Sequence, residues 1–102
     1  MRVKNSYKTT SRLKKFLRSG KVKVKFEKLR GIRTGEYEEG MSGIILYIDP
    51  RKDILPTLIH EVLHCWYPTW SEDRVYKEES RILKSLSCSQ AKHILKVLME
   101  IV

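Results

Sequence analysis

The chain has 102 residues, room for one domain with a single modest core, which excludes a multidomain enzyme or a large barrel. With 41% hydrophobic and 32% charged residues, the composition is that of a folded protein rather than a disordered tail. The net charge of +9 is uneven: residues 1–30 hold twelve Lys or Arg against Glu27 alone, a balance of +11, and everything after them sums to −2.

Thr10 and Ser11 are expected to cap a short helix carrying Leu13, Phe16 and Leu17, with Gly20 as its stop. Lys21 to Leu29 alternates apolar and charged residues, the pattern of a half-buried strand. Gly31, Gly35, Gly40 and Gly43, mixed with Glu36, Glu38 and Glu39, read as turns around a short intervening strand. Gly43 to Asp49 is a second clear strand. Asp53 is placed to cap a helix that tolerates Pro56 in its first turn and runs to about Trp66. After Pro68, Ser71 caps a second helix, with Glu72 and Asp73 at its positive end, reaching about Leu86. A third runs from about Ser89 and is apolar on more than one side, with Ile94, Leu95, Val97, Leu98, Met99, Ile101 and Val102. The whole is a single α+β domain spanning 1–102, without internal repeat or linker.

The longest apolar runs fall far short of the roughly 20 residues a membrane span needs, and no apolar signal segment follows Met1, so a cytoplasmic protein is expected. Cys65 and Cys88 are too few for a disulfide scaffold, and free thiols are expected. Single Asn, Gln and Ala residues beside abundant Lys, Arg and Glu suit a thermophile. Clustered cations in the first third could attract nucleic acid or anionic lipid, yet they equally suit a solvated face. Tyr7 and Phe16 are the only aromatics near the early basic stretch, which supplies base stacking poorly.

His60-Glu61-Val62-Leu63-His64 matches the H-E-x-x-H pattern. On a helix, residues four apart stack on one face, so two imidazoles can hold one metal ion, and Glu61 can reach a metal-bound water without being a ligand. Ile54, Leu55, Leu58, Ile59, Val62, Leu63 and Trp66 share one arc of that helix. His60 and His64 lie on the opposite stripe with Asp53 and Thr57, facing a cleft or solvent.

A catalytic zinc site normally has three protein ligands, so one must come from elsewhere. The metzincin pattern is rejected, because Tyr67 and Trp70 stand where Gly and His are required. Glu72 and Glu79 fall in the inward arc of the following helix, with Glu78 and Asp73 at its margins. Antiparallel packing across the short link brings Glu72 beside His64 and favours it, with Glu79, Glu78 and His93 as further candidates. The plainer reading of Glu72 is a helix-dipole acid, and that of Glu79 and Glu78 a surface salt bridge or a contact that supports a metal ligand from behind.

The motif, with Tyr67-Pro68-Thr69-Trp70-Ser71-Glu72 after it, resembles the active-site and glutamate helices of gluzincins. Chain length and element order are similar to the minigluzincins of the proabylysin and projannalysin type, over about residues 43–86. The resemblance implies a small zincin-like domain with a short twisted sheet, Glu72 as third zinc ligand, and a C-terminal segment, here 89–102, that blocks the cleft or swaps between molecules to give a latent form. A final core helix is the competing reading of that segment.

The expected function is zinc-dependent hydrolysis of peptide or unfolded protein, with His60, His64 and Glu72 holding Zn2+ and Glu61 moving the proton. Zinc follows from ligand type. Gly43 to Asp49 is a candidate exposed strand for substrate pairing, and Tyr67 or Tyr76 a candidate oxyanion donor. The competing function is a small basic nucleic-acid-binding or toxin-like module whose histidines hold a structural metal or none.

Overall fold

Alternation along Val22–Phe26 produces strand β1, with Val22 and Val24 buried and Lys23 and Lys25 exposed. The computed structural model describes residues 2–29, 35–40 and 43–102, and the turn expected around Gly31 lies outside them. Strands β2 (Gly35–Gly40) and β3 (Gly43–Ile48) complete a three-stranded sheet in the order β1-β3-β2, with β1 parallel and β2 antiparallel to β3. The intervening strand expected among the glycines is thus β2.

Register puts Val22 beside Ile44, Val24 beside Leu46 and Phe26 beside Ile48, so one face of the sheet is apolar. Gly43 is required for this pairing. Its φ is +124°, and a Cβ there would stand 2.5 Å from the Lys21 carbonyl oxygen, which accepts the Ile44 amide at 2.9 Å. Asp49, fully buried just after β3, accepts hydrogen bonds from the Leu29 and Arg51 amides and from the Arg51 side chain, tying the end of β3 to the segment after β1.

Among the described residues there are four helices: α1 (Arg2–Leu17), α2 (Ile54–Trp66), α3 (Glu72–Ser85) and α4 (Cys88–Ile101). The fold is α+β, as the patterning predicts. Helices α1 and α4 pack on each other and on β1, α2 packs on β2 and β3, and α3 lies against α1 and α2. One core joins Leu13 and Leu17 of α1, the inner strand residues, Leu58, Ile59, Val62 and Leu63 of α2, Val75 and Ile82 of α3, and Ile94, Val97 and Leu98 of α4. No helix among the described residues is long and apolar enough to cross a membrane.

Two boundaries and one cap differ from expectation, each for a local reason. Helix α1 begins at Arg2, and Thr10 stands mid-helix, buried on the same stripe as Leu13 and Leu17, so packing overrides its preference for a cap. Asp53 has extended cap geometry but its side chain makes no cap hydrogen bond. The third helical position, whose amide a cap normally takes, is Pro56, which has none. Helix α4 starts one residue early because Ser87 and Gln90 form a reciprocal capping box. The cap of α3 is Ser71, as expected, accepting the Arg74 amide at 3.2 Å.

One functional expectation is corrected here. Strand β3 is central and paired on both sides, so it cannot take an added substrate strand. Residues 89–101 lie in α4, with Val102 as its C-cap, and Ile94, Val97 and Leu98 are buried against α1 and β1, the packing that the core-helix reading of that segment describes.

Candidate metal centre

Helix α2 is buried continuously from Thr57 to Leu63, wider than its apolar arc. The apolar arc packs into the core, and the polar stripe is roofed by α3 on one side and β2 on the other. His60 is therefore buried, at 8% exposure, and His64 half-buried, where the wheel pointed to a cleft or solvent.

The two rings lie edge to face with centroids 4.8 Å apart, and their Nε2 atoms approach to 3.2 Å. Glu72, the first residue of α3, reaches both: its Oε1 is 3.4 Å from His60 Nε2 and in direct contact with His64 Nε2. One donor atom from each of His60, His64 and Glu72 lies within 4.8 Å of the others, a group that could hold a metal ion. Its position follows from the chain path. The Tyr67 amide still bonds the Leu63 carbonyl at 2.8 Å, Trp70 turns back onto the Tyr67 carbonyl at 3.0 Å, and Ser71 opens α3 beside the C-terminal turn of α2.

Glu79 lies on the same stripe of α3, two turns beyond Glu72, and its Oε1 is 2.8 Å from His60 Nδ1. Its side chain is only 14% exposed, against 61% for Glu72. With the His60 proton on Nδ1 facing this carboxylate, Nε2 presents a lone pair toward His64 and Glu72. Glu79 thus orients a histidine from behind, and its meaning required a partner 19 residues away, which spacing within α3 does not reveal.

Glu78 and His93 stand apart from this group. Glu78 is gripped by Arg81, whose Nε and Nη2 donate at 2.6 and 2.7 Å and hold the carboxyl below the usual carboxylate range. His93 is exposed on α4, in a shallow cavity with Thr10, Lys14 and Gln90. The Tyr76 ring lies 4.5 Å from that of His60, whereas the Tyr67 hydroxyl accepts a hydrogen bond from Arg12 Nη1 at 2.8 Å.

Glu61 is buried at 6% exposure, on the side of α2 that meets the start of β2. A Cβ on Gly35 would stand 2.6 Å from Thr57 Cγ2 and 3.0 Å from Glu61 Cγ, so β2 approaches the helix this closely because residue 35 is glycine. Cys65, one turn on from Glu61, is free and half-buried. Burial, reinforced by the Glu61 and Glu39 charges, pushes its thiol up to about 12, so it stays protonated at neutral pH and is a poor ligand or nucleophile. Cys88 is free and exposed, as expected.

In the basic third, Lys8, Lys15, Lys23 and Lys25 are exposed, but Arg18 pairs with Glu100 at 3.5 Å and Arg12 lies over the Trp66 ring at 3.8 Å. Sequence reasoning missed Arg12 and Gly35. Each acts through a contact distant in the chain, and no local signal marks either. No protein-family model, no curated protein and no solved structure matches the chain.

Proposed function

We propose that the chain is a zinc-dependent endopeptidase of the minigluzincin kind, in which His60, His64 and Glu72 hold the metal and Glu61 moves the proton. The observation that carries this reading is the convergence of two imidazole nitrogens and a carboxylate oxygen beside a buried glutamate on the same helix. Donors arranged tetrahedrally on arms of about 2.0–2.1 Å stand about 3.3 Å apart. The His60–His64 and His60–Glu72 separations of 3.2 and 3.4 Å suit that arrangement, while Glu72 and His64 are in closer contact and would part to admit an ion; three N and O donors are the usual protein set at a catalytic zinc.

A bound zinc ion would supply Lewis acidity, polarising a peptide carbonyl and acidifying water toward neutral pH. Glu61 then takes the proton of the attacking water and delivers it to the leaving amine. Glu79 keeps the His60 ring in the orientation and tautomer that expose Nε2. Tyr76, whose ring lies beside His60, is the better placed of the two tyrosines to donate to the developing oxyanion. An extended substrate pairs with the outer edge of β2, whose first residue, Gly35, abuts Glu61.

The test is Glu61→Ala. It should keep the zinc content of the purified protein, read by mass spectrometry, while cleavage of an unfolded protein falls by about 10²–10⁴-fold. Unchanged cleavage, or a wild-type protein that takes up no zinc, overturns the proposal.

A further inference from the structure

Glu72 is the most exposed member of the metal group, so burial does not hold it in place. As the first residue of α3, it sits wherever the link from Tyr67 to Ser71 delivers that helix. The link contains an aromatic pair: the Tyr67 and Trp70 rings stack with centroids 4.0 Å apart and planes within 7°. The Arg74 guanidinium lies over Trp70 at 4.1 Å, closing one end of the stack. At the other end Arg12 Nη1 donates to the Tyr67 hydroxyl at 2.8 Å, while the guanidinium lies 3.8 Å above the Trp66 ring. Arg12 thereby joins α1 to the last residue of α2 and to the first residue of the link, across 55 positions of sequence.

From this we infer that Arg12 is a positioning residue for the metal centre: by clamping Tyr67 onto Trp70 it sets where α3 begins, and so holds the Glu72 carboxylate against His64. The inference rests on the metal-centre reading. Arginine suits the role because its planar group can stack on an indole and donate from its edge at the same time. The neighbouring contact between α1 and α2, Phe16 edge-on to Trp66 at 5.7 Å, fastens the same two helices through Trp66 and provides a control.

The experiment measures zinc affinity by chelator competition in Arg12→Met, Phe16→Leu, Glu72→Ala and the Arg12→Met/Glu72→Ala double variant, with amide exchange in the zinc-free proteins. Arg12→Met should weaken zinc binding by about tenfold, the low end for residues that orient a ligand, and should add no further loss once Glu72 is alanine. Exchange should quicken at the Trp70 and Arg74 amides, which bond within the link and cap. Phe16→Leu should lower the melting temperature with neither effect. Equal losses with and without Glu72, or Arg12→Met behaving like Phe16→Leu, show a merely structural arginine and overturn the inference. If Arg12→Met does not fold, Arg12→Lys, which lacks the planar fork, is read in the same way. A wild-type protein that takes up no zinc overturns the metal-centre reading and this inference with it; zinc uptake that the arginine substitution leaves unchanged overturns this inference alone.

Discussion

Two helix pairs flank the same core, and they bury different things. Between α1 and α4 the buried side chains are Leu13, Leu17, Ile94, Val97 and Leu98 with Thr10, and the charged contact of the pair, Arg18 with Glu100, lies at the surface. Between α2 and α3 the buried set includes His60, with Glu79 nearly so, and Glu61 is buried on the neighbouring side of α2, toward β2. Removing polar groups from water is destabilising unless they are partnered, and in the α2–α3 pair Glu72 and Glu79 of α3 are each turned toward a histidine. One pair buries an almost wholly apolar set. The other gives up apolar contact to gather donors, and that asymmetry marks α2–α3 as the half that could hold a metal ion.

The sharpest way to break the contrast is to remove a histidine from each half in turn. His60→Ala should abolish zinc binding, a loss of at least about 100-fold as expected for removal of a ligand, whereas His93→Ala on α4 should leave zinc uptake unchanged in the same titration. The converse substitution is Leu98→Ala. It should lower unfolding free energy by about 2–5 kcal/mol in denaturant melts while zinc affinity stays at the wild-type value.

Within the α2–α3 half, Glu79→Met removes the acceptor behind His60 and should weaken zinc by about 10–100-fold, with the cobalt-substituted spectrum showing an altered histidine ligand field. A smaller effect tests a buried charge outside both pairs. The Arg51 guanidinium bonded to Asp49 holds that carboxyl far below the usual range, so the group is ionised in the folded protein. Its contribution is fully present above the unfolded carboxyl value of about 3.9 and is lost as pH falls through the lower folded value. Asp49→Asn should therefore lower the melting temperature by several degrees at neutral pH and flatten its decline in acid.

The metal half was partly legible in the residues. His60 and His64 are one helical turn apart, a local spacing that survives any tertiary arrangement, and Asp53 and Pro68 bounded the helix that carries them. The short link to Ser71 allowed Glu72 to be set beside His64, where the structure places it. Glu79 was legible as an inward acid, but its role was not, because the histidine it contacts lies on another helix. Strand order was equally hidden: alternation identified β1 and an apolar run β3, but not that β3 is central, which moved the candidate substrate edge to β2.

Periodicity, caps and the histidine pair are properties of neighbours along the chain, so the residues alone dictated the α+β plan and the helix that carries the histidine pair. The closing of α3 over α2, the glycine that lets β2 reach Glu61, the arginine 55 positions from its tyrosine and the burial of α4 are properties of neighbours in space. Each depends on which apolar faces meet when the core condenses, and no spacing along a single element records that choice.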